Sequence, residues 1–148
     1  MSKIISLLAV VLMLSSCSQR LEPIKGINFK ECKFYDENQN KWISTLTDAK
    51  QVLIIDSVEL TNPTYIKQLD STYIKKAQYI FLAGGGCFNA QVKEMGAEIK
   101  HDTLHIIWNE PNSICPPTGK RAPTTLCLEI DKTLYPNYKN FKIVLSQR

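Results

Sequence analysis

Alternating apolar and polar positions mark the second half of the chain as β-structure. Three segments there carry an apolar side chain at every second position: Leu104, Ile106 and Trp108, then Leu126, Leu128 and Ile130, then Phe141, Ile143 and Leu145. Successive side chains of a strand point to opposite faces, so each segment is typical of a strand with one buried face. We therefore expect Trp108 and Leu126 to be buried on facing strands.

The first half of the chain contains further strand patterns. Residues 27–35 and 41–46 flank a turn-rich segment, and this arrangement predicts a hairpin. Residues 51–60 contain the unbroken apolar run at positions 52–55, which is rich in β-branched side chains. Such a run predicts a strand that is buried on both faces.

One helix is expected near residues 63–76. Asn62 can accept hydrogen bonds from free backbone N–H groups, and Pro63 has a φ that suits the first helical position. Apolar residues then recur every four positions along one helix face. A strand is predicted next at residues 79–83, and it runs into a tight turn of three glycines at 84–86.

The segment 88–100 fits two patterns. Its apolar residues Phe88, Val92, Met95 and Ile99 fall on one helix face, whereas a strand needs a one-residue slip that a bulge at Gly96 would supply. A strand here predicts an α+β fold, mainly an antiparallel β sandwich or open barrel with the single helix. A helix predicts a small α/β sheet instead. We favour the antiparallel fold.

The amino-terminal residues carry an export signal. Lys3 precedes an apolar run at residues 4–14, which has the length of a signal peptide and is too short to span a bilayer. The run ends in the motif Leu14-Ser15-Ser16-Cys17, which resembles the lipobox of bacterial lipoproteins. The resemblance implies cleavage before Cys17, a diacylglycerol thioether on its sulfur and an acylated amino group.

This resemblance divides the chain into a signal peptide at 1–16, a lipidated tether at 17–26 and one β-rich domain at 27–148. We expect the lipid on Cys17 to anchor the protein in the membrane. In enteric bacteria an Asp after the lipidated cysteine favours the inner membrane, and here Ser18 follows. The expected location is therefore the cell envelope, at the outer membrane and facing the periplasm.

Length and charge limit the classes of function. Removing 16 of the 148 residues leaves 132, which is enough for one domain with a core. The formal net charge of +4 falls to +3 without Lys3, and the basic residues are spread along the chain. Nucleic-acid binding requires a basic stripe, so no nucleic acid is expected as a partner, and no cofactor or metal site is predicted.

Four cysteines remain after cleavage besides the lipidated Cys17, and an even number in an oxidising compartment predicts two disulfides. They are Cys32, Cys87, Cys115 and Cys127. No C-x-x-C spacing is present, which disfavours a structural zinc site or a thioredoxin-like pair. Of three possible pairings we favour Cys87–Cys115, which ties a strand end to a Pro-rich loop, and this choice leaves Cys32–Cys127.

The Pro-rich loop at residues 109–123 is the best candidate for a partner surface. Trp108 and Asn109 stand at its root, and Lys120 and Arg121 lie near its end. Four prolines stiffen the loop, and a rigid loop loses little conformational entropy when it docks a partner.

Residues 79–132 resemble a known family of binding domains. The strand at 79–83 leads into the glycines at 84–86, and Pro123 precedes a last strand that ends at Lys132. This arrangement is similar to the C-terminal domain of PrcB-type protease-complex proteins. The resemblance implies a β-rich, non-enzymatic partner or regulator of proteases.

Two functions follow from these patterns. The first is a membrane-anchored binding or accessory module for another envelope protein. The second is a periplasmic thiol enzyme or hydrolase, in which His101 or His105 would activate Cys87. The second requires Cys87 to stay reduced among three competing cysteines, so we favour the first and expect no catalytic residue.

The lipobox makes a direct prediction about Cys17. The Cys17→Ser variant should not be lipidated, because serine lacks the sulfur that carries the diacylglycerol. Detergent phase partitioning of both proteins measures this. Wild type should enter the detergent phase and the variant should not, and identical partitioning of the two would contradict the anchor.

Overall fold

Two β-sheets and a layer of helices form three layers in the computed structural model, which describes residues 21–111, 115 and 122–148. Within these residues the strands are β1 (Ile27–Glu31), β2 (Lys41–Ile43), β3 (Lys76–Gly85), β4 (Phe88–Asn89), β5 (Met95–Lys100), β6 (Thr103–Trp108), β7 (Thr124–Asp131) and β8 (Lys142–Gln147). The helices there are α1 (Leu46–Val52), α2 (Ser57–Thr61) and α3 (Pro63–Lys75). The predicted α+β fold, mainly antiparallel, is confirmed; it contains α1 and α2 in addition to the one helix that was predicted, and the sheets do not close into a barrel.

The larger sheet has the strand order β1-β7-β3-β2, and β4 pairs with the end of β3. All of its pairs are antiparallel. The smaller sheet has the order β5-β6-β8; β5 and β6 are antiparallel, whereas β8 runs parallel to β6. Parallel neighbours need a long connection, and here that connection passes through β7 in the other sheet.

The sandwich core lies between the two sheets. Alternate residues of β3, β6 and β7 point into it, as the period of two requires. Its fully buried members include Phe81, Leu104, Ile106, Leu126, Leu128 and Ile130. Trp108 is 5% exposed and Leu126 is 0% exposed, and both belong to this core from strands of opposite sheets. Their predicted burial is confirmed.

A second core separates the larger sheet from the helices. The other faces of β2, β3 and β7 contribute Ile43, Ile80 and Cys127, which pack with Ala49 of α1 and Tyr73 of α3. The larger sheet is therefore covered on both faces.

Helix α3 begins where the sequence predicts. The Asn62 side chain accepts a hydrogen bond from the Thr64 N–H at 3.0 Å, and Pro63 occupies the first helical turn. The helix then runs without a break to Lys75.

A buried polar chain links α3 to the larger sheet. The Tyr73 hydroxyl donates to Gln78 Oε1 at 2.7 Å, and Gln78 Nε2 donates to Glu129 Oε1 at 3.2 Å. Lys30 Nζ donates to the same carboxylate oxygen at 2.9 Å. Burial raises the pKa of Tyr73, so its hydroxyl keeps the proton that it donates. Burial alone would raise the pKa of Glu129, but the hydrogen bonds from Lys30 and Gln78 and the charges of Lys30 and Lys76 together hold that pKa below its ordinary value.

The prediction of a strand at residues 51–60 is wrong. Helix α1 ends at Val52, α2 occupies much of the remainder, and only Leu53 forms an isolated bridge, to Phe34. The helix starts at a capping box, in which Asp48 N–H donates to Thr45 Oγ1 and Thr45 N–H donates to Asp48 Oδ2, both at 3.1 Å. The capping box satisfies backbone N–H groups at the start of the helix. Its preference for a helix outweighs the preference of the β-branched run for a strand.

The predicted first hairpin is also wrong. Strand β1 pairs with β7 and β2 pairs with β3, so the two neighbours in sequence lie on opposite edges of the larger sheet. The pairing partners of β1 and β2 are determined by burial against strands that are distant in sequence. A turn-rich segment between two strands does not predict that pairing.

The ambiguous segment 88–100 is mainly extended. Strands β4 and β5 are separated by a 3₁₀ turn at Val92–Glu94. This turn supplies the change of parity that we assigned to a bulge at Gly96. Gly96 instead pairs regularly with Ile107 inside β5.

The core makes a prediction about stability. Leu126→Ala should lower the free energy of unfolding by about 2–5 kcal/mol, because it removes buried methyl groups and leaves a cavity. Leu134, which is 45% exposed, provides the control substitution Leu134→Ala. Denaturant midpoints measure both variants. Equal midpoints for Leu126→Ala and wild type would show that Leu126 adds nothing to the core.

Candidate functional site

The glycine segment forms the hairpin between β3 and β4. Gly85 pairs with Phe88 and leaves Gly86 and Cys87 as a two-residue turn. Gly86 has φ +64° at the first turn position, where a type II′ turn requires a positive φ. Gly84 has φ +81°, and a Cβ there would lie 2.5 Å from the Ala90 nitrogen. The segment is therefore a tight turn, as expected.

The disulfide Cys87–Cys115 joins this turn to the Pro-rich loop, and its Cα atoms are 5.2 Å apart. The second disulfide is Cys32–Cys127, with Cα atoms 5.8 Å apart. These are the two pairs that we favoured from the sequence. Because the Cys87 sulfur is bonded, it offers no thiolate to an imidazole.

The two histidines lie on the smaller sheet. His101 is exposed in the turn between β5 and β6, with φ +56°, and His105 is half-buried opposite Glu98 in the middle of β6. A turn and a strand do not give the helical spacing with which two histidines four residues apart would bind a metal.

The root of the Pro-rich loop is held by Glu94. Trp108 Nε1 donates to Glu94 Oε2 at 3.1 Å, and Asn109 Nδ2 donates to the Glu94 carbonyl oxygen at 3.0 Å. Trp108 is nearly buried and Asn109 is half-buried, so these two predicted partner residues are engaged within the fold. The other two, Lys120 and Arg121, lie outside the described residues.

Next to this root is a cleft of about 230 Å³ between the two sheets. Its apolar floor consists of Phe81, Met95, Ile106 and Trp108. Its rims are the end of β3, at residues 82–84, and the end of β8, at residues 145–147. Leu145 on the β8 rim is 45% exposed. We define this feature as the edge cleft.

The β8 rim is a strand edge that no other described part of the chain pairs with. Lys142 N–H donates to the Asp102 oxygen and Arg148 N–H donates to the Trp108 oxygen, each at 2.9 Å. Backbone groups alternate in direction along a strand, so those of the odd-numbered residues Ile143, Leu145 and Gln147 point away from β6. Among the described strands, β8 pairs with β6 alone.

On the side of β3 away from β7, the β3 rim is also unpaired over a short stretch, as far as residues 21–111, 115 and 122–148 show. Asn40 N–H donates to the Ile80 oxygen at 2.8 Å, which places the backbone groups of Ile80 on the β2 side. Leu82 has the same parity and extends beyond the last residue of β3 that pairs with β2. Its N–H and C=O therefore point toward the edge cleft and not toward β7.

The chain enters the domain near the β1 and β5 edges of the sandwich. Leu21 packs on β5, because a Cβ at Gly96 would lie 2.7 Å from Leu21 Cδ1. Leu21 also lines a pocket formed by β1 and β5, the strands at the opposite edges of the two sheets from β2 and β8. The entry point therefore lies at the β1–β5 edges and the edge cleft opens toward the β8 edge, with Met95 between them because it lines both pockets.

The free edge predicts a pattern of amide hydrogen exchange. The N–H groups of Ile143 and Leu145 should exchange at least about tenfold faster than those of Val144 and Ser146, because only the latter donate to β6. Exchange measured residue by residue by NMR tests this. The matched control is within one strand, and equal protection of both sets would mean that the edge is covered.

Within residues 21–111, 115 and 122–148, no helix has the length and apolar composition needed to cross a bilayer. The same part of the chain contains no group of three or more His, Cys, Asp or Glu side chains placed to hold a metal ion. Comparisons with models of protein families, with curated proteins and with solved structures find no match to this chain.

Proposed function

We propose that the protein is a lipid-anchored lipoprotein of the bacterial envelope that acts as a non-enzymatic binding module for another envelope protein. The single observation that carries the binding role is the edge cleft, where an apolar floor lies between two free strand edges. An apolar concavity bordered by unpaired backbone groups suits a polypeptide ligand. The anchor and the outer-membrane location rest on the sequence of residues 1–18.

The position of the tether supports this proposal. Leu21 is four residues along the chain from Cys17, and an extended chain covers at most about 3.6 Å per residue. A lipid on Cys17 therefore lies within about 14 Å of the β1–β5 side of the domain. The edge cleft, which opens toward the β8 edge, remains accessible to a partner.

The alternative function is a thiol enzyme or hydrolase that uses Cys87. The disulfide Cys87–Cys115 counts against it, because a bonded sulfur cannot act as a nucleophile. The resemblance to PrcB-type domains agrees with the binding role and makes a protease complex our proposed class of partner.

Free thiols separate the two functions. In the full-length protein isolated from the envelope, an alkylating reagent at neutral pH should modify none of the cysteines 32, 87, 115 and 127 before reduction, and all of them after reduction under denaturing conditions. Peptide mapping by mass spectrometry gives the result. A Cys87 that reacts in the unreduced, folded protein would favour the enzyme.

The binding role is tested by chemical cross-linking in intact cells. The wild-type lipoprotein should yield one dominant cross-linked envelope protein, and the matched control is Cys17→Ser, which removes the lipid attachment site and leaves the sequence of the domain at 27–148 unchanged. The yield should fall in the control because anchoring raises the local concentration of the module near its partner. The absence of any cross-linked protein from wild type would contradict the proposed function.

A further inference from the structure

We propose that the partner binds by strand addition: an extended polypeptide segment pairs with the outer edge of β8 and places alternate side chains in the edge cleft. This inference rests on the proposed binding function and specifies its ligand. The occupant is a segment of another protein with an apolar centre and acidic residues toward its ends.

The backbone of β8 offers a complete ladder for such a segment. Ile143, Leu145 and Gln147 present three N–H donors and three carbonyl acceptors in one direction, away from β6. A strand rises about 3.3 Å per residue, so these groups match about six residues of an extended peptide. Backbone pairing of this type gives affinity, and pockets for alternate side chains give specificity.

The protective features that close other strand edges are largely missing here. In natural proteins, Pro residues, β-bulges, charged side chains or a very short edge strand prevent an edge strand from pairing with another chain. Strand β8 has six residues, no Pro and a regular register with β6, and its one charged residue, Lys142, stands at one end. The free stretch on the β3 rim is much shorter, so of the two rims of the edge cleft β8 is the one that accepts the strand.

The edge cleft supplies the side-chain contacts. Ile143 packs against the sandwich core, and Leu145 lines the cleft while remaining 45% exposed. A strand added beside β8 continues the smaller sheet on the side away from β5, so its side chains on this face point toward the larger sheet, where Phe81 and the β3 rim lie. Apolar side chains gain most from that position because the floor is apolar.

Charge distinguishes a foreign segment from a second copy of this chain. Two β8 strands paired antiparallel about Leu145 would set Lys142 of each copy opposite Arg148 of the other. Like charges directly opposite on paired strands destabilise the pair. Arg148 lies 3.9 Å from Glu98, which offsets its charge only in part because both side chains are solvent-accessible. Acidic residues at these positions of a partner segment would be favoured.

The experiment uses the full-length lipidated protein in its own envelope. A photoreactive benzophenone amino acid replaces Ser146, which is exposed on the β8 rim, and the adduct is mapped by mass spectrometry. We expect one linear segment of another protein. That segment is then synthesised, and amide exchange of the purified lipoprotein in detergent micelles is measured with and without the peptide.

Strand addition predicts which amides the peptide protects. Ile143, Leu145 and Gln147 should exchange at least about tenfold more slowly with the peptide, because their N–H groups become donors. Val144 and Ser146, which already donate to β6, should change little. Equal change in both sets, or no change at the odd-numbered residues, would overturn strand addition.

Two substitutions at one position separate backbone from side-chain binding. Leu145→Pro removes an outward N–H that the fold does not use, as edge strands tolerate, whereas Leu145→Ala keeps it. The photo-adduct should fall by about tenfold or more in the proline variant and by a smaller factor in the alanine variant. The denaturant midpoint of each variant is measured alongside, and the exchange pattern decides the matter if Leu145→Pro does not fold.

The remaining outcomes are distinct. An adduct to a second copy of the chain would replace the proposal by self-association. A different result is a partner that cross-links chemically, gives no photo-adduct at position 146 and shows the same cross-linking yield with Leu145→Pro as with wild type. That result would overturn strand addition and preserve the binding function. Failure of both cross-linking methods would remove the binding function as well.

Discussion

The antiparallel pair of β3 and β7 is the interaction on which the fold depends. Eight residue pairs, from Lys76 with Asp131 to Ala83 with Thr124, join segments about fifty positions apart. The pair is buried on both faces, by the sandwich core and by the helices. Every other layer covers one of its faces, and β1 and β2 extend its two edges. Closing so long a loop is costly in entropy, and burial of both faces offsets that cost.

The two disulfides fix different parts of this arrangement. Cys32–Cys127 lies beneath the helices and joins the end of β1 to the centre of β7, across 95 residues of sequence. Cys87–Cys115 spans 28 residues and holds the glycine turn to the Pro-rich loop, close to one rim of the edge cleft. The opposite rim, β8, is held by one neighbouring strand. A disulfide therefore lies close to the β3 rim of the edge cleft, whereas the β8 rim can pair with an additional strand.

Sequence patterns predicted the elements whose signals are local. Strands β6, β7 and β8 follow the period of two, α3 follows its Asn62 cap, and an even cysteine count led to the two disulfides. Residues 51–60 were misread because capping at Thr45 and Asp56 outweighs an apolar run. The edge cleft had no sequence signal, since it arises where three-residue β2 stops short of the end of β3. The prediction did place a partner surface at the adjacent loop root, although Trp108 and Asn109 are engaged inside the fold.

The charges at the ends of β8 have a consequence for ionic strength. Repulsion between Lys142 and Arg148 of two copies is electrostatic, and ions screen exposed charges beyond about 8 Å at physiological ionic strength. Hydrogen bonds along a strand edge and burial of apolar side chains are not weakened in this way. The repulsion between two copies is therefore strongest at low salt. At high salt that repulsion is screened, whereas the β8 edge can still form backbone hydrogen bonds and apolar contacts. At high ionic strength the shape of the edge cleft, more than charge, would then keep identical copies apart.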